Sequence, residues 1–449
     1  MVKVITYGTY DLLHYGHIKL LKRAKALGDY LIVGVTADDF DKVRGKINVQ
    51  QSLMERIEAV RDTGLADEII VEEYEGQKID DIRRLNVDIF TVGSDWKGKF
   101  DYLNEYCKVI YLERTEGVSS SEIRAMKCDI TIGLVGESNI MNKFADECEF
   151  VNGITISGVC TQDDSLLSKK LNCCSFITDQ YEDLVKRVDS VYIISHPNRH
   201  YQQIKYALMH GKHVLCESPF AINESECCEL IQLAKDKGLV LSDGIKTAYS
   251  TAYSRMLLLA KSGRIGNVVS VDTTCTSLRN IDFSDSRKLS NVWNSLCSWG
   301  PTAMLPIFQL LGTDYLKKQI ITRVTNEQFN YDEFTRISFI YRDSVASIKV
   351  GQGVKSEGEM IISGTKGYIY VPAPWWKTDY FELRYENPAD NKRYFYQLDG
   401  EGIRYEIVAF VKAIEHKLMN NYVDPEISQA ISGVIQDFED GKDLIRLEL

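Results

Sequence analysis

Short apolar runs and helix-spaced apolar positions alternate from the first residues onward. Residues 2–7 (VKVITY) are β-branched and apolar, and too short a run for a stable helix, which predicts a strand. After His17, Ile18, Leu20, Leu21, Ala24 and Leu27 recur at helical spacing up to Gly28. Runs at 30–35, 68–71, 87–92 and 109–112 predict further strands, 53–60 and 77–85 predict helices, and another helix is expected to open at Ser121. This alternation predicts an α/β fold with a doubly wound parallel sheet, whose ligand-binding loops follow the strand C-termini.

A second alternating series begins at 130–135 with no Pro/Gly-rich linker before it. Strands are expected at 154–159, 190–194 and 213–216, a helix at 201–210, and the series ends near Asp243. Beyond Ile265, strand-like runs at 268–274, 336–342, 344–350 and 358–371 predict a largely antiparallel open sheet, hence an α+β region. Amphipathic helices through Lys417 and over 426–437 close the chain. The expected domains are 1–127, 128–245 and 246–449.

Composition narrows the function classes. A length of 449 residues favours more than one core. The net charge of −11 argues against a nucleic-acid coat or an anionic-membrane binder. No window approaches the ~20 consecutive apolar residues of a membrane span, and the N-terminus lacks the charged-then-apolar order of a signal peptide. The 11 cysteines include the adjacent pairs Cys173-Cys174 and Cys227-Cys228 but no paired CxxC sets. Reduced thiols in the cytoplasm are the expectation, without structural zinc.

Candidate chemistry concentrates in Gly8 to His17, GTYDLLHYGH, between the first strand and the first helix. Its glycines admit close backbone approach, and a helix N-terminus adds partial positive charge. His14 and His17, three apart, can hydrogen-bond a phosphate as charge develops on it. A lone histidine is ordinarily a packing or surface residue; two in this setting are not. Lys42, Arg44 and Lys46 lie in a polar strap that either closes on a triphosphate or is merely solvated. Arg114 with Ser119, Ser120 and Ser121 repeats the device at another expected helix start. Such a set serves displacement at phosphorus by positioning and electrostatics.

GTYDLLHYGH, GSDWKGKFD and RTEGVSSSEIR, in that order, closely resemble the glycerol-3-phosphate cytidylyltransferase family, over essentially all of 1–127. The resemblance implies a Rossmann-like nucleotidyltransferase domain using CTP, a polyol phosphate and Mg²⁺ to make a CDP-polyol and pyrophosphate for cell-surface polysaccharide such as capsule or teichoic acid. It implies Gly8, Thr9, Tyr10, Asp11, Asp95, Trp96, Thr115, Ser119 and Ser120 as CTP-binding residues. It implies His14, His17, Arg44, Lys46 and Arg114 as the catalytic set, with Asp11 near the metal. Gly64 stands where an arginine near the acceptor is expected, which leaves the acceptor open.

The second half resembles the Gfo/Idh/MocA oxidoreductase family through IGLVGESNIM, SHPNRHYQQIKYALMHGKHVLCESPF and SGRIGNVVSV. The resemblance implies an NAD(P)-binding Rossmann domain and an α/β domain with an open sheet. It implies Gly136, Ser138, Asn139, Ile140, His196, Asn198, His200 and Glu217 as cofactor contacts. The family's glycine fingerprint keeps only Gly136, with Ser138 and Met141 at the other two places. Its Glu-Lys-Pro motif reads Glu217-Ser218-Pro219, and its later acid–histidine signature falls on Ser298 to Thr302. Serine supplies neither cation nor proton at neutral pH. Lys246 and Tyr249 are candidate substitutes, with Ser298 and Thr302 as substrate contacts. Three readings follow: a reductase making the polyol phosphate from a keto-sugar phosphate, a non-redox ligand-binding module, or an oligomerisation platform. Trp375 and Trp376 are expected to pack in a core or interface, with sugar stacking as the alternative. The expected partners are CTP, a small phosphorylated polyol or sugar and further copies of the chain as a dimer or tetramer, without nucleic acid or membrane.

Overall fold

The β-branched run at the N-terminus forms β1 (Lys3–Gly8) at the centre of a five-stranded sheet with β2 (Tyr30–Thr36), β3 (Glu68–Glu72), β4 (Ile89–Gly93) and β5 (Lys108–Leu112). A computed structural model describes the chain apart from residues 44–48, 50, 52, 75, 114–129, 152, 280, 282, 284–291, 329, 397, 417–421 and 449. The chain forms two compact units, Met1–Asp129 and Ile130–Leu449. In the first the strand order is β3-β2-β1-β4-β5, and every pairing is parallel. The order reverses between β1 and β4, so the loops after these two strands flank the crevice where such sheets bind ligands. Val4, Leu21, Leu31 and Val33 pack on one face, and Ile5, Ile82, Phe90 and Leu103 on the other.

Two local expectations shift. The first helix is Tyr15–Lys25, so it begins before His17, with His14 as its N-cap. The strap after β2 is not wholly irregular, because Asp38–Val43 is helical. Its polarity hid it from an apolar-periodicity reading. The helix expected at Ser121 lies outside the described residues.

The second unit opens with a six-stranded sheet in the order β11-β10-β9-β6-β7-β8. Its strands are β6 (Ile130–Gly136), β7 (Ile154–Cys160), β8 (Ile177–Thr178), β9 (Ser190–Ile194), β10 (His213–Cys216) and β11 (Leu241–Asp243), all parallel. The helix expected at 201–210 runs Pro197–Met209, started by His196 as N-cap and by a proline at its first turn.

A nine-stranded sheet follows, ordered β19-β18-β17-β16-β12-β15-β14-β13-β20. Its strands are β12 (Val268–Thr276), β13 (Lys317–Asn326), β14 (Tyr331–Ile340), β15 (Val345–Gly351), β16 (Met360–Gly364), β17 (Tyr368–Val371), β18 (Tyr380–Arg384), β19 (Lys392–Phe395) and β20 (Leu444–Arg446). Only β12–β15 and β13–β20 pair in parallel, so the sheet is mixed and mostly antiparallel. The apolar helix Ser295–Leu311 packs on one face, where Val271, Ile337, Ile348 and Val350 are buried. Ile340 and its cross-strand partner Val345 are exposed. Among the described residues no helix is long and apolar enough to cross a membrane, and the ten described cysteines are free.

Candidate functional site

In the first unit, the loop after β1 brings Gly8, Thr9, Tyr10, Asp11, His14 and His17 together. Tyr10 and Leu12 adopt positive φ, 53° and 49°, which turns the chain sharply into the helix. The Tyr10 ring is buried in the core and meets the His17 ring edge-on at 5.5 Å. It therefore supports His17 from below and offers a nucleotide only its backbone. The His14 and His17 rings stack at 3.9 Å. His14 Nδ1 accepts the Gly16 N–H at 3.1 Å, so a neutral His14 ring carries its hydrogen on Nε2, away from the helix. Two imidazoles at a helix N-terminus form an anion-directed site.

Thr9 Oγ1 donates to Asp41 Oδ1 at 2.8 Å, and Asp11 Oδ1 accepts the Gln51 N–H at 3.0 Å. Asp11 is buried. Among the described residues no group of three or more His, Cys, Asp or Glu forms a preformed metal cage. Asp11 would be available to an Mg²⁺ arriving with a triphosphate, an ion commonly held by one or two carboxylates plus phosphates. Asp95 and Trp96 follow β4, the neighbour of β1. Asp95 is exposed, and Trp96 packs on Phe100 at 5.9 Å with Lys99 Nζ 5.0 Å above its ring. Arg44, Lys46, Arg114, Thr115, Ser119 and Ser120 lie outside the described residues.

Arg56 was not singled out from the sequence. It is fully buried, donating to the carbonyls of Thr9 at 2.7 Å, Thr36 at 2.8 Å and Gln51 at 3.1 Å, and pairing with Asp38 and Asp41. It ties the loop after β1 to both ends of the strap. A lone arginine on a short helix carries no local signal of this.

The second unit holds a cavity of about 790 Å³. Of the expected residues it is lined by Ser138, Asn139, Ile140, His196, Glu217, Lys246, Ser298 and Thr302. Gly136 sits just beneath, at φ 140°, where a Cβ would come within 2.8 Å of the Ile194 carbonyl. The helix Ile140–Cys148 starts there with no side-chain cap. Ser138 Oγ lies 3.3 Å from the Ile140 N–H, and Met141 is absorbed into the core. The turn thus leads to a helix N-terminus, which suits a dinucleotide's pyrophosphate despite both lost glycines, with Ser138 Oγ accepting the Ile140 N–H.

Besides Gly136, three expected residues do not join the cavity lining. Asn198 is exposed on the helix Pro197–Met209. His200 is fully buried, with Nδ1 2.7 Å from the Pro219 carbonyl and Nε2 2.7 Å from the Ser195 carbonyl, so it braces two turns. Tyr249 is buried and donates to the Asp243 carbonyl at 2.7 Å, which removes it as a substitute proton donor. His196 does line the cavity; its Nδ1 accepts the Asn198 N–H and its Nε2 faces the Val292 carbonyl at 3.2 Å. Burial lowers its proton affinity, so the ring is neutral.

Other lining residues come from distant loops. Trp299 and Trp376 face each other at 4.9 Å, while Trp375 is buried and donates to the Thr274 carbonyl at 3.1 Å. Among the described residues, the buried atoms Ser277 Oγ, Trp299 Nε1 and Gln352 Nε2 have no hydrogen-bond partner. Exposed Arg279 and Lys355 also line the cavity.

Residues 5–126 match the cytidylyltransferase-like family model, and 130–245 match an oxidoreductase family with an NAD-binding Rossmann fold, Gfo/Idh/MocA. The glycerol-3-phosphate cytidylyltransferase of Bacillus spizizenii is 52% identical over 124 residues, covering 28% of this chain and 95% of that protein. That of Staphylococcus aureus is 48% identical over 128 residues, covering 28% and 93%. Among solved structures, a 3-ketoreductase from Actinomadura kijaniata in complex with NADP and TDP-benzene aligns with a TM-score of 0.62 at 16% identity, over 71% of this chain and all of that one. An oxidoreductase from Agrobacterium radiobacter, bound to NAD⁺, L-tartaric acid and magnesium, aligns at 0.58 and 15% identity, over 68% and 94%. These two likenesses establish the fold of the second unit. The chain therefore belongs, through its first unit, to the glycerol-3-phosphate cytidylyltransferase family, fused to a unit with the Gfo/Idh/MocA oxidoreductase fold.

Proposed function

We propose that the first unit transfers CMP from CTP to a small polyol phosphate such as glycerol-3-phosphate, releasing pyrophosphate and a CDP-polyol for cell-surface polymer synthesis. The observation that carries this is the stacked His14–His17 pair at a helix N-terminus, on the loop where the sheet order reverses. An acceptor phosphate oxygen, already ionised at neutral pH, forms a bond to the α-phosphorus as the α–β bridging bond breaks. No general base is required. The two imidazoles donate to the phosphate oxygens as charge builds. Arg44, Lys46 and Arg114 would hold the triphosphate from the strap and the last loop, with Thr9, Thr115, Ser119 and Ser120 completing the cradle. Mg²⁺, near Asp11, would neutralise charge on the pyrophosphate. Release of pyrophosphate from CTP and glycerol-3-phosphate tests the reaction.

For the second unit, we propose NAD(P)-dependent reduction of a phosphorylated keto-sugar, the precursor of the acceptor. The paired rings of Trp299 and Trp376, with Arg279 and Lys355 lining the same cavity, support a sugar-like, anionic ligand. Ser138, Asn139 and Ile140 would meet the dinucleotide's pyrophosphate. Fluorescence titration with NADH and NADPH tests this, and no binding of either at millimolar concentration would contradict it. A second reading, assembly of copies through the open sheet face, is favoured by the exposed Ile340–Val345 pair. Sedimentation of wild type against I340K tests that reading.

A further inference from the structure

Two lysines of the second unit's cavity share a single carboxylate. Lys143, Lys377 and Glu401 all line that cavity. Lys143 Nζ lies 2.9 Å from Glu401 Oε2, and Lys377 Nζ lies 2.8 Å from Glu401 Oε1. Lys143 stands one turn into the helix Ile140–Cys148, which follows β6 of the six-stranded sheet. Lys377 ends the short turn Trp375–Lys377, between β17 and β18 of the nine-stranded sheet. Glu401 thus bridges the two sheet regions of the unit. Its side chain and those of both lysines are between 40% and 48% exposed, so the bridge stands on the cavity rim, in reach of an incoming ligand.

The backbone under Glu401 is costly for a glutamate. Gly400, Glu401 and Gly402 adopt φ 57°, 54° and 94°, and Glu401 is the one residue of the three that places a Cβ in this left-handed region. Arg404, in the next helix, pairs with Glu147 at 2.8 Å and with Asp399 at 3.6 Å, which fixes the turn against the helix Ile140–Cys148. A strained residue at a ligand cavity points to a task for its side chain. Lys377 and Lys143 hold the Glu401 carboxyl below its ordinary range, so it is ionised. Long helix side chains lean toward the helix N-terminus, which sets the Lys143 head toward the cavity-lining start at Asn139 and Ile140. Two ammoniums converging on one anion beside a helix start have the make-up of a phosphate subsite, with the anion supplied by the chain itself.

We infer that Lys143 and Lys377 form a clamp for the diphosphate of a nicotinamide dinucleotide, and that Glu401 is the internal anion that occupies the clamp until the dinucleotide displaces it. This role rests on the reading of the unit as a dinucleotide binder. Ion pairs this exposed are individually weak, so the exchange costs little. A diphosphate brings more charge and more acceptor oxygens to the two ammoniums than one carboxylate does. Left in place, the Glu401 charge would repel it; the glycines on either side admit the backbone change that carries Glu401 out to solvent. On release, Glu401 returns and competes with rebinding.

Equilibrium binding of NADH and NADPH to the full-length chain, read by dinucleotide fluorescence, tests the clamp in wild type, E401Q, K143M and K377M. E401Q removes the competing charge and is expected to tighten binding about threefold to fivefold, the worth of a half-exposed ion pair. K143M and K377M are each expected to weaken binding about tenfold, the loss of one hydrogen bond to a charged group. ADP should displace bound NADH more readily from E401Q than from wild type, whereas adenosine, which carries no phosphate, should show no gain. A bridge that serves the fold alone would lower the melting temperature in all three variants and tighten binding in none, which would overturn the clamp. If wild type binds either dinucleotide and E401Q binds it no more tightly, the clamp falls and the dinucleotide reading stands. If neither wild type nor E401Q binds NADH or NADPH, both fall.

Discussion

One guanidinium nitrogen of Arg56 holds the carbonyl oxygen of Thr9 at 2.7 Å, and the same nitrogen holds Thr36 at 2.8 Å. The loop after β1 and the end of β2 are thereby fixed to one buried cation. Removing one partner of a buried ion pair costs about 3–5 kcal/mol, because the opposite charge is stranded. R56M is expected to accelerate hydrogen exchange across residues 3–43 and to depress CTP turnover. R56K is expected to act in the same direction, since it lacks the fork that serves several acceptors. Wild-type exchange in R56M would show that Arg56 is dispensable.

The stacked histidines carry the proposed phosphoryl chemistry. H17A is expected to lower pyrophosphate release by ~10²-fold or more, the loss seen when one charge-stabilising donor is removed. H14A removes both a ring donor and the helix N-cap, so it should also lower thermal stability by about 1 kcal/mol. Equal stability losses in both variants would argue that the pair is structural.

Asp243 links stability to pH. Its folded-state proton affinity is raised to about 7 from an ordinary 3.8 by burial. The folded state therefore keeps a proton that the unfolded chain releases, and this stabilisation is full below pH 3.8 and lost as pH rises toward 7. The upper bound is about 4 kcal/mol, from a shift of roughly three units. Denaturant unfolding of the second unit should weaken with rising pH across that window, and D243N should flatten the slope.

The turn after β6 is expected to tolerate change at one of its two altered glycine places and not at the glycine it keeps. G136A drives a Cβ to 2.8 Å from the Ile194 carbonyl at a φ that L-residues avoid, so loss of stability and of dinucleotide binding is expected. S138G restores room for close backbone approach and is expected to tighten NADH or NADPH binding in a fluorescence titration.

The tryptophan wall of the cavity gives a further test. W376A removes one of the two rings that meet at 4.9 Å on that wall. The KM for a keto-sugar phosphate is expected to rise about tenfold, the order of one ring contact. R279M should raise KM for phosphorylated and not for unphosphorylated ligands.

Much of this was legible in the residues, and the exceptions have physical causes. Short apolar runs located β1 and β6, and period-3.6 spacing located the helix after β1, because strands buried on both faces of a parallel sheet read as continuous apolar runs. The HxGH loop was legible because strand, glycines and paired histidines are contiguous. Arg56 was not, since its acceptors lie 47, 20 and 5 residues away and nothing local marks a buried arginine. His200 and Tyr249 were misassigned to ligand contact for the converse reason: their neighbours do not reveal which way a side chain turns. Trp299 and Gln352 reach the second site from two distant segments, which no spacing rule connects. Trp375 and Trp376 divide between core and cavity although adjacent, because successive residues at a turn point apart.

The central claim is CMP transfer by the first unit, and one incubation tests it directly. The full-length protein is mixed with CTP, Mg²⁺ and a panel of phosphorylated polyols and ketoses, with and without NADH or NADPH, and the products are identified by mass. The expected result is pyrophosphate together with a CDP-polyol formed from glycerol-3-phosphate or a longer alditol phosphate. Dinucleotide should be needed only when the ketose phosphate is supplied. Absence of any CDP product across the panel would contradict the account.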